Sequence, residues 1–311
     1  MKNMKNRKGV SDMAKLVECV PNFSEGRRTE VIDAIVDAAR AVAGVKVLDV
    51  APDVDHNRTV LTLVGEPQAA KKAAFACCAK ATELIDMEKH KGGHPRIGAT
   101  DVIPFIPVSD VDMAECVTLA HELGKEIAEK LSIPVFFYES AAKRPSMKAL
   151  PDVRKGDYEG LKEAIKTPER APDEGPCAMH PTAGATVVGA RPFLVAYNIN
   201  LSTADVAIAK AIAQTIRAAK GGYVNCRAIG LMLDDKGIAQ VSINMTDYTS
   251  TPLHRVFETV KSEAARYGVN VTGSEIIGLT PMQALLDSAA FYLRLDGFKR
   301  EQVMEARLLE G

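Results

Sequence analysis

The feature that most constrains the fold is an order of strand and helix patterns that occurs twice along the chain. In each half, a short strand pattern leads into an amphipathic helix and then into two strands joined as a hairpin. The first half reads βαββαβαβ and the second reads βαββαβα. Split βαβ units of this kind favour ferredoxin-like sandwiches. We therefore expect an α/β (α+β) protein of two such lobes, with a ligand cleft between them.

Local signals place several elements within this order. Apolar residues recur at helical spacing over residues 28–42, which predicts the first helix. Polar turns at 53–57 and 234–237 each separate two strand patterns, as hairpin turns do. In the second half, Ser202 precedes an acidic first turn and is the expected cap of the helix that follows.

Chain length and local composition predict the domain organisation. A chain of 311 residues is long enough for two lobes of about 150 residues each. Residues 140–189 interrupt the pattern and are rich in Pro, Lys, Asp and Glu, which indicates a linker. We expect a lead-in outside the fold over residues 1–12, an N-terminal lobe with the linker over 13–188, and a C-terminal lobe over 189–311.

Charge and hydropathy argue against several classes of partner. The chain has 39 Lys and Arg against 40 Asp and Glu, so it carries no excess charge that would attract a nucleic acid. No apolar run approaches the roughly 18 residues that span a bilayer, and no signal peptide pattern is present. We expect a soluble, cytoplasmic protein with neither a nucleic acid nor a membrane partner. The six cysteines form no metal-binding spacing and are expected to be reduced thiols.

The most unusual segment is the loop HKGGHPRIGATD, residues 90–101, between a helix and a strand. His90 and His94 are four residues apart, but the glycines and proline around them break a helix, so we expect no metal there. A positioned imidazole at His94 is suited to proton transfer near neutral pH. Arg96 is able to hold a carboxylate bidentately. The alternative, that His94 only bonds the loop backbone, stays open.

Several loop segments together resemble the glutamate formiminotransferase family. The segments are LVECVPNFSEG at 16–26, NRTV at 57–60 and HKGGHPR at 90–96, and the similarity extends over nearly the whole chain from Met13. Dinucleotide-binding, P-loop and serine-hydrolase motifs do not occur in the sequence.

The resemblance implies a reaction and roles for particular residues. In the family, a formimino group passes from N-formimino-L-glutamate to tetrahydrofolate, and the second histidine of the HKGxHPR loop, here His94, is catalytic. Arg58 and Arg96 are the expected ligands of the substrate carboxylates, with Arg191 as a further candidate. A carboxylate that assists His94 is expected at Asp53 or Asp55.

The resemblance also assigns folate binding to the second lobe, through two stretches that match Gly175 to Gly184 and Gly221 to Gly230. The expected folate-binding residues are Gly175, Pro176, Cys177, Ala178, Met179, His180, Pro181, Thr182, Ala183, Gly184, Gly221, Gly222, Tyr223, Arg227 and Gly230. Glycine in such loops lets a flat ring lie against the backbone, although an ordinary turn requires glycine as well.

Partners and alternatives follow from the same resemblance. Tetrahydrofolate is expected as the co-substrate, without a metal, and the family suggests a homodimer. Bifunctional relatives carry a cyclodeaminase domain for which this chain is expected to be too short, so a separate cyclodeaminase would act downstream. Three alternatives stay open: a hydrolase of formiminoglutamate with a metal on His90 and His94, an enzyme with a formyl donor, and a folate-binding protein without turnover.

Overall fold

The computed structural model describes residues 15–233 and 236–310. The chain folds into two compact units, one ending at Arg191 and the other beginning at Pro192, where we predicted a boundary between 188 and 189. The predicted lead-in over 1–12 and the first two positions of the predicted turn at 234–237 lie outside the described residues.

The first unit contains seven strands and five α-helices within the described residues. Its strands are β1 (Leu16–Cys19), β2 (Asn22–Phe23), β3 (Val45–Asp53), β4 (Arg58–Gly65), β5 (Thr100–Ser109), β6 (Val135–Glu139) and β7 (Thr186–Ala190). Its helices are α1 (Thr29–Arg40), α2 (Pro67–Leu84), α3 (Met113–Leu131), α4 (Leu150–Val153) and α5 (Asp157–Ala164).

The sheet of the first unit is a ferredoxin-like sheet with two added strands. β1 and β2 run in line between β4 and β5, and β3 pairs with the outer side of β4. This is the strand order of a split βαβ sandwich, with all these pairs antiparallel. β7 then pairs with β5 and β6 in parallel. The predicted fold class is confirmed in this unit.

Both faces of the added part of the sheet are buried, which explains its uninterrupted apolar sequence. Ile103 and Phe137 pack toward α1, α2 and α3, whereas Val102 and Phe136 belong to a second core on the opposite face. Side chains that alternate along a strand point to opposite faces. A sheet covered on two sides therefore needs apolar residues at both sets of positions.

The prediction of a linker over residues 140–189 is wrong. This segment forms α4 and α5, whose residues Val153 and Leu161 build the second core, and it ends in β7. The two helices are short, so their apolar residues are too few to display a helical period in the sequence. Their burial against the sheet, rather than local propensity, supports them.

The second unit is a complete split βαβ sandwich. Its strands are β8 (Val195–Leu201), β9 (Cys226–Leu233), β10 (Ile238–Met245) and β11 (Val271–Ile277). Its helices are α6 (Val206–Ile216), α7 (Leu253–Arg266), α8 (Met282–Leu293) and α9 (Met304–Glu310). The strand order is β11-β8-β10-β9, with antiparallel neighbours throughout. The two units thus share one βαββαβ topology.

The helix cap in this unit differs from the prediction. Asp205, rather than Ser202, caps α6 by accepting a hydrogen bond from the amide of Ala207 at 2.9 Å. The Ser202 hydroxyl accepts from the amide of Asn270 at 2.9 Å, and so fastens the start of β11 to the end of β8. In the described part of the chain, no helix combines the length and apolarity needed to cross a membrane.

Candidate active site

The candidate site lies at one end of the first sheet, where three chain segments meet. Phe23 at the end of β2 pairs with Thr59 at the start of β4 and with Thr100 at the start of β5. The loop before β5 carries His94, and the β3–β4 hairpin turn lies beside it. Residues that are distant in the sequence therefore lie close together, since their strands are paired in the sheet.

Side-chain hydrogen bonds join the hairpin turn to the loop. Asn57 has a positive φ of 50°, and its amide donates to the carbonyl of Lys91 at 3.0 Å while its Oδ1 accepts from the amide of Gly26 at 2.9 Å. His90 Nε2 donates to the carbonyl of Asn57 at 3.0 Å. Burial lowers the pKa of His90, and its Nδ1 accepts a hydrogen bond from Arg96, as an unprotonated ring nitrogen does. These bonds fix the loop without a regular element.

Glycines in this loop allow close packing of protein against protein. A Cβ on Gly92 would lie 2.2 Å from the carbonyl oxygen of His56, and one on Gly98 would lie 1.9 Å from that of Ala185. Gly93 has no atom within 4 Å of the corresponding position. The expectation that the loop glycines admit a substrate therefore fits Gly93, while Gly92 and Gly98 are required by the fold.

His94 contacts a guanidinium at the centre of the site. Its Nε2 lies 2.7 Å from Nη1 of Arg58, the first residue of β4. A guanidinium has only donors, so Nε2 accepts this hydrogen bond and the ring proton is on Nδ1. Nδ1 is buried, and the backbone carbonyl of Pro95 acts on the ring as a hydrogen-bond acceptor. Arg58 thus contacts His94 directly. The sequence analysis expected Arg58 to bind a substrate carboxylate and did not predict this contact.

The surroundings of His94 favour its neutral form. Burial, followed by the charges of Arg58 and Arg154, lowers the pKa of His94 to about 3. The ring of His56 also lies nearby, edge-on at 6.2 Å between centroids. Desolvation and like charge both disfavour an imidazolium. His94 is therefore a neutral imidazole throughout the physiological pH range.

A buried ion pair supports the loop from beneath. Asp101, in β5, pairs with Arg154, and these side chains are 2% and 12% exposed. The other carboxylate oxygen of Asp101 accepts from the amide of Ile97 at 2.9 Å. This pair connects the loop that carries His94 to the segment after α4.

Asp53, one of the two expected assisting carboxylates, reaches His94 only through His56. Its oxygens accept from the amide of His56 at 2.8 Å and pair with Nδ1 of the same ring at 2.6 Å. Burial would raise the pKa of Asp53, but these hydrogen bonds outweigh it and lower the pKa. Asp55 is exposed in the turn. Neither carboxylate hydrogen-bonds to His94.

Arg96, expected to hold a substrate carboxylate, is engaged by the protein. Its guanidinium donates to both carboxylate oxygens of Glu159 at 3.0 and 2.7 Å, and Nε donates to Nδ1 of His90 at 3.3 Å. The hydrogen bonds from Arg96 lower the pKa of Glu159. A cavity of about 310 Å³, lined in part by Arg96, Tyr158 and Lys162, opens at this pair. Arg191 lies elsewhere, following β7.

The first expected folate-binding stretch belongs to the first unit, so its assignment to the second lobe is wrong. Its end is hydrogen-bonded to the loop that carries His94. The carbonyls of Thr182 and Ala183 accept from the amides of Met87 and Ala99, both at 2.8 Å. Residues 175–178 are exposed. The sequence did not predict that this stretch belongs to the first unit, because the stretch precedes β7 and the place of β7 in the first sheet was not predicted.

The glycine that ends this stretch is structural. Gly184 is buried with a φ of 73°, and a Cβ there would lie 2.5 Å from the carbonyl oxygen of Ile97. The buried Gly184 is therefore required by the backbone, whereas the exposed residues 175–178 are accessible to a ligand.

The second expected folate-binding stretch lies in the second unit. Some of its residues pack against the protein and others are accessible. Gly230 faces α6, where a Cβ would lie 2.2 Å from the amide nitrogen of Lys210. Gly221 has a φ of 88° with open space beside it, and the hydroxyl of Tyr223 bonds that of Thr259 at 2.7 Å. Arg227 is exposed on β9.

Comparison with known proteins agrees with this architecture. A family model described as the formiminotransferase domain, N-terminal subdomain, matches residues 16–191, and a model described as the formiminotransferase domain matches residues 196–308. The chain belongs to the formiminotransferase family. The recognition from loop segments is thereby confirmed.

Curated relatives support the same membership. The chain is 51% identical over 298 residues to a glutamate formimidoyltransferase of Streptococcus pyogenes serotype M1, covering 96% of this chain and all of the relative. It is 49% identical to a glutamate formimidoyltransferase of Thermoplasma acidophilum, covering 94% of this chain and 97% of the relative. A formimidoyltransferase-cyclodeaminase of Rattus norvegicus is 48% identical over 90% of this chain, which spans 53% of that protein.

In this formiminotransferase-family chain, three residues of the site were not selected from the sequence. His56 lies in the predicted turn at 53–57, and Asp101 is the last residue of the loop at 90–101. No sequence pattern assigned either residue a role in the site. Arg154 lies 53 residues from Asp101, in the segment predicted as a linker, and no local pattern connects the two.

Proposed function

We propose that this chain transfers the formimino group of N-formimino-L-glutamate to tetrahydrofolate, giving 5-formiminotetrahydrofolate and L-glutamate. The observation that supports this most strongly is the 51% identity over the entire length of a relative named glutamate formimidoyltransferase. Tetrahydrofolate is a co-substrate in this proposal, and the chemistry needs no metal. The neutral, half-buried imidazole of His94 is the group best suited to move the proton.

The reaction requires one proton to be moved and returned. N5 of tetrahydrofolate attacks the formimino carbon, a C–N bond forms, and N5 loses its proton. The bond to the glutamate nitrogen then breaks, and that nitrogen gains a proton. A single imidazole that accepts the first proton and donates the second leaves no net change. Holding both substrates beside it adds the advantage of proximity.

Arg58 is our proposed ligand for a substrate carboxylate. It lies against His94 and is half-buried, so an anion bound there would place the formimino group beside the imidazole. A bidentate pair of arginine with carboxylate is strong and directional.

Arg96 is proposed as a second carboxylate ligand that must first exchange its partner, Glu159. Glu159→Gln is expected to lower KM for formiminoglutamate by about 3- to 10-fold, because a neutral amide competes less well for the guanidinium. Glu163→Gln, on the same helix and exposed, is the matched control. An unchanged KM in Glu159→Gln would leave Arg96 with a structural role only.

The folate-binding stretches remain part of the proposal, centred on their accessible residues. The exposed Ala178 is suited to a test, since an arginine there would obstruct a ring without straining the backbone. We expect Ala178→Arg to weaken tetrahydrofolate binding at least about 10-fold by loss of close apolar contact. Ala204→Arg, exposed in the second unit, is the control. Equal affinities for the two variants would remove this surface from the folate site.

The decisive experiment is an assay of the purified protein with formiminoglutamate, with and without tetrahydrofolate. Transfer predicts glutamate release only when tetrahydrofolate is present, together with 5-formiminotetrahydrofolate in equal amount. Glutamate and formamide formed from water alone would identify the hydrolase, and binding without turnover would identify a folate-binding protein. Formylglutamate as the second donor distinguishes formyl from formimino transfer.

Two further predictions belong to this proposal. The resemblance favours a homodimer and a cytoplasmic location. Sedimentation equilibrium of the purified chain tests the first. A protein of 33.4 kDa that sediments at that mass would contradict it.

A further inference from the structure

Arg58 carries an unbalanced positive charge in the candidate active site. Its side chain is half-buried, and within residues 15–233 and 236–310 it forms no ion pair. The carboxylates that act on it are engaged elsewhere, since Asp101 pairs with Arg154 and Asp53 with His56. A guanidinium withdrawn from water without a counter-charge is unfavourable. The position is therefore suited to an anion supplied from outside the protein.

The contact with Arg58 also determines what His94 can do. A neutral imidazole has one nitrogen with a free lone pair, and in His94 this nitrogen, Nε2, accepts from the guanidinium at 2.7 Å. The other nitrogen, Nδ1, carries the proton and is buried. In this arrangement His94 has no lone pair available to remove a proton from a substrate.

We propose that Arg58 keeps His94 inactive as a base in the free protein, and that a substrate carboxylate releases Nε2 by pairing with Arg58. This inference rests on the proposed function, because that function requires His94 to accept a proton. It adds a condition to the reaction: the base becomes competent only when the carboxylate donor is bound.

Hydrogen-bond strength favours the exchange. A guanidinium bound to a carboxylate makes two parallel hydrogen bonds in which both partners are charged, whereas it makes one bond to an uncharged imidazole. The freed Nε2 then accepts the proton from N5 of the folate and returns it to the leaving glutamate nitrogen. Bonds and protons balance, and no additional reactant is needed.

The charges around His94 identify Arg58 as the one that changes. Arg58 from β4, Arg154 from the segment after α4 and His56 from the hairpin turn all face the imidazole. Arg154 is neutralised by Asp101, and this pair is buried. Binding of a carboxylate to Arg58 therefore removes the main uncompensated cation near His94.

The test is the ¹⁵N chemical shift of Nε2 of His94, measured by NMR at pH 7 in protein labelled with ¹⁵N at histidine. The chain has six histidines, and a His94→Asn variant assigns the signal. Glutarate, a dianion at this pH, serves as the dicarboxylate probe, and glutaramide is its uncharged control. We expect glutarate to move the Nε2 resonance downfield, toward that of an imidazole nitrogen that accepts no hydrogen bond, because Arg58 then donates to the carboxylate instead. Glutaramide should leave the resonance unchanged.

Variants of Arg58 separate the proposed role from a structural one. Arg58→Gln should move the Nε2 resonance of His94 downfield in the free protein, abolish the response to glutarate, and raise KM for formiminoglutamate at least about 30-fold. Arg58→Lys, which keeps the charge, should recover part of KM and of the response. Arg40→Gln removes an exposed arginine and should behave as wild type. If Arg58→Gln fails to fold, Arg58→Lys and the wild-type response to glutarate still decide.

The outcomes distinguish this inference from the proposed function. An Nε2 resonance that glutarate does not move in the wild type overturns the role of Arg58, even if formimino transfer is observed. A resonance that moves in a protein without formimino transfer upholds the role of Arg58 and rejects the proposed donor. An Arg58→Gln protein with an unaltered Nε2 resonance overturns the inference in either case.

Discussion

The ion pair between Asp101 and Arg154 should be a large source of stability in the first unit. The change Asp101→Asn retains an oxygen that can accept from the amide of Ile97, so the backbone contact survives. Within the part of the chain that the structure describes, it removes the only charge paired with Arg154, and it presents an amide donor to a guanidinium donor. Because the two side chains are 2% and 12% exposed, the pair belongs to the buried class. Breaking such a pair costs about 3–5 kcal/mol.

The assay is differential scanning calorimetry of the full chain. In a domain of this size, 1 kcal/mol corresponds to about 2–4 °C in Tm, so we expect a fall of about 6–20 °C. The matched control is Asp37→Asn, which breaks an exposed pair with Arg40, 69% and 59% exposed, and should cost about 0–1 kcal/mol.

A second variant separates the pair from its individual members. Combining Asp101→Asn with Arg154→Met leaves no unpaired charge and should recover most of the lost stability, since apolar replacements of buried pairs are often tolerated. A fall in Tm for Asp101→Asn no larger than that of Asp37→Asn would refute our reasoning about burial.

Three other predictions concern His94 and metals. His94→Ala should lower kcat at least about 10²-fold with an unchanged circular dichroism spectrum, and wild-type turnover would reject its role as the base. The pKa of His94 is 6.5 in the unfolded chain and about 3 in the folded protein, so between pH 6.5 and about 3 only the unfolded chain binds this proton. The free energy of unfolding therefore falls as the pH drops below 6.5. His94→Asn should reduce that slope by up to about 1.4 kcal/mol per pH unit, and parallel urea-unfolding profiles of the two proteins would contradict this. Chelators should leave activity unchanged, because no group of potential metal ligands occurs in the described residues, whereas activity restored by zinc would favour the hydrolase.

Local sequence patterns determined much of the fold. The period of the apolar residues placed α1, and polar turns separated the paired strands of both hairpins, because such signals depend only on neighbouring residues. The order of these elements then indicated the split βαβ topology of both units. The loop around His94 was evident because its glycines, proline and histidines belong to no regular element.

The tertiary structure alone decided what surrounds His94. Arg58 is 36 residues from His94, and the two meet because β2 brings the starts of β4 and β5 together. Arg154 approaches His94 because α4 and α5 cover the second face of the sheet. The sequence did not predict this, because these helices are short and contain few apolar residues. A pKa depends on burial and on charges from every nearby segment. The sequence therefore identified the imidazole, and only packing could set its protonation state and its partner.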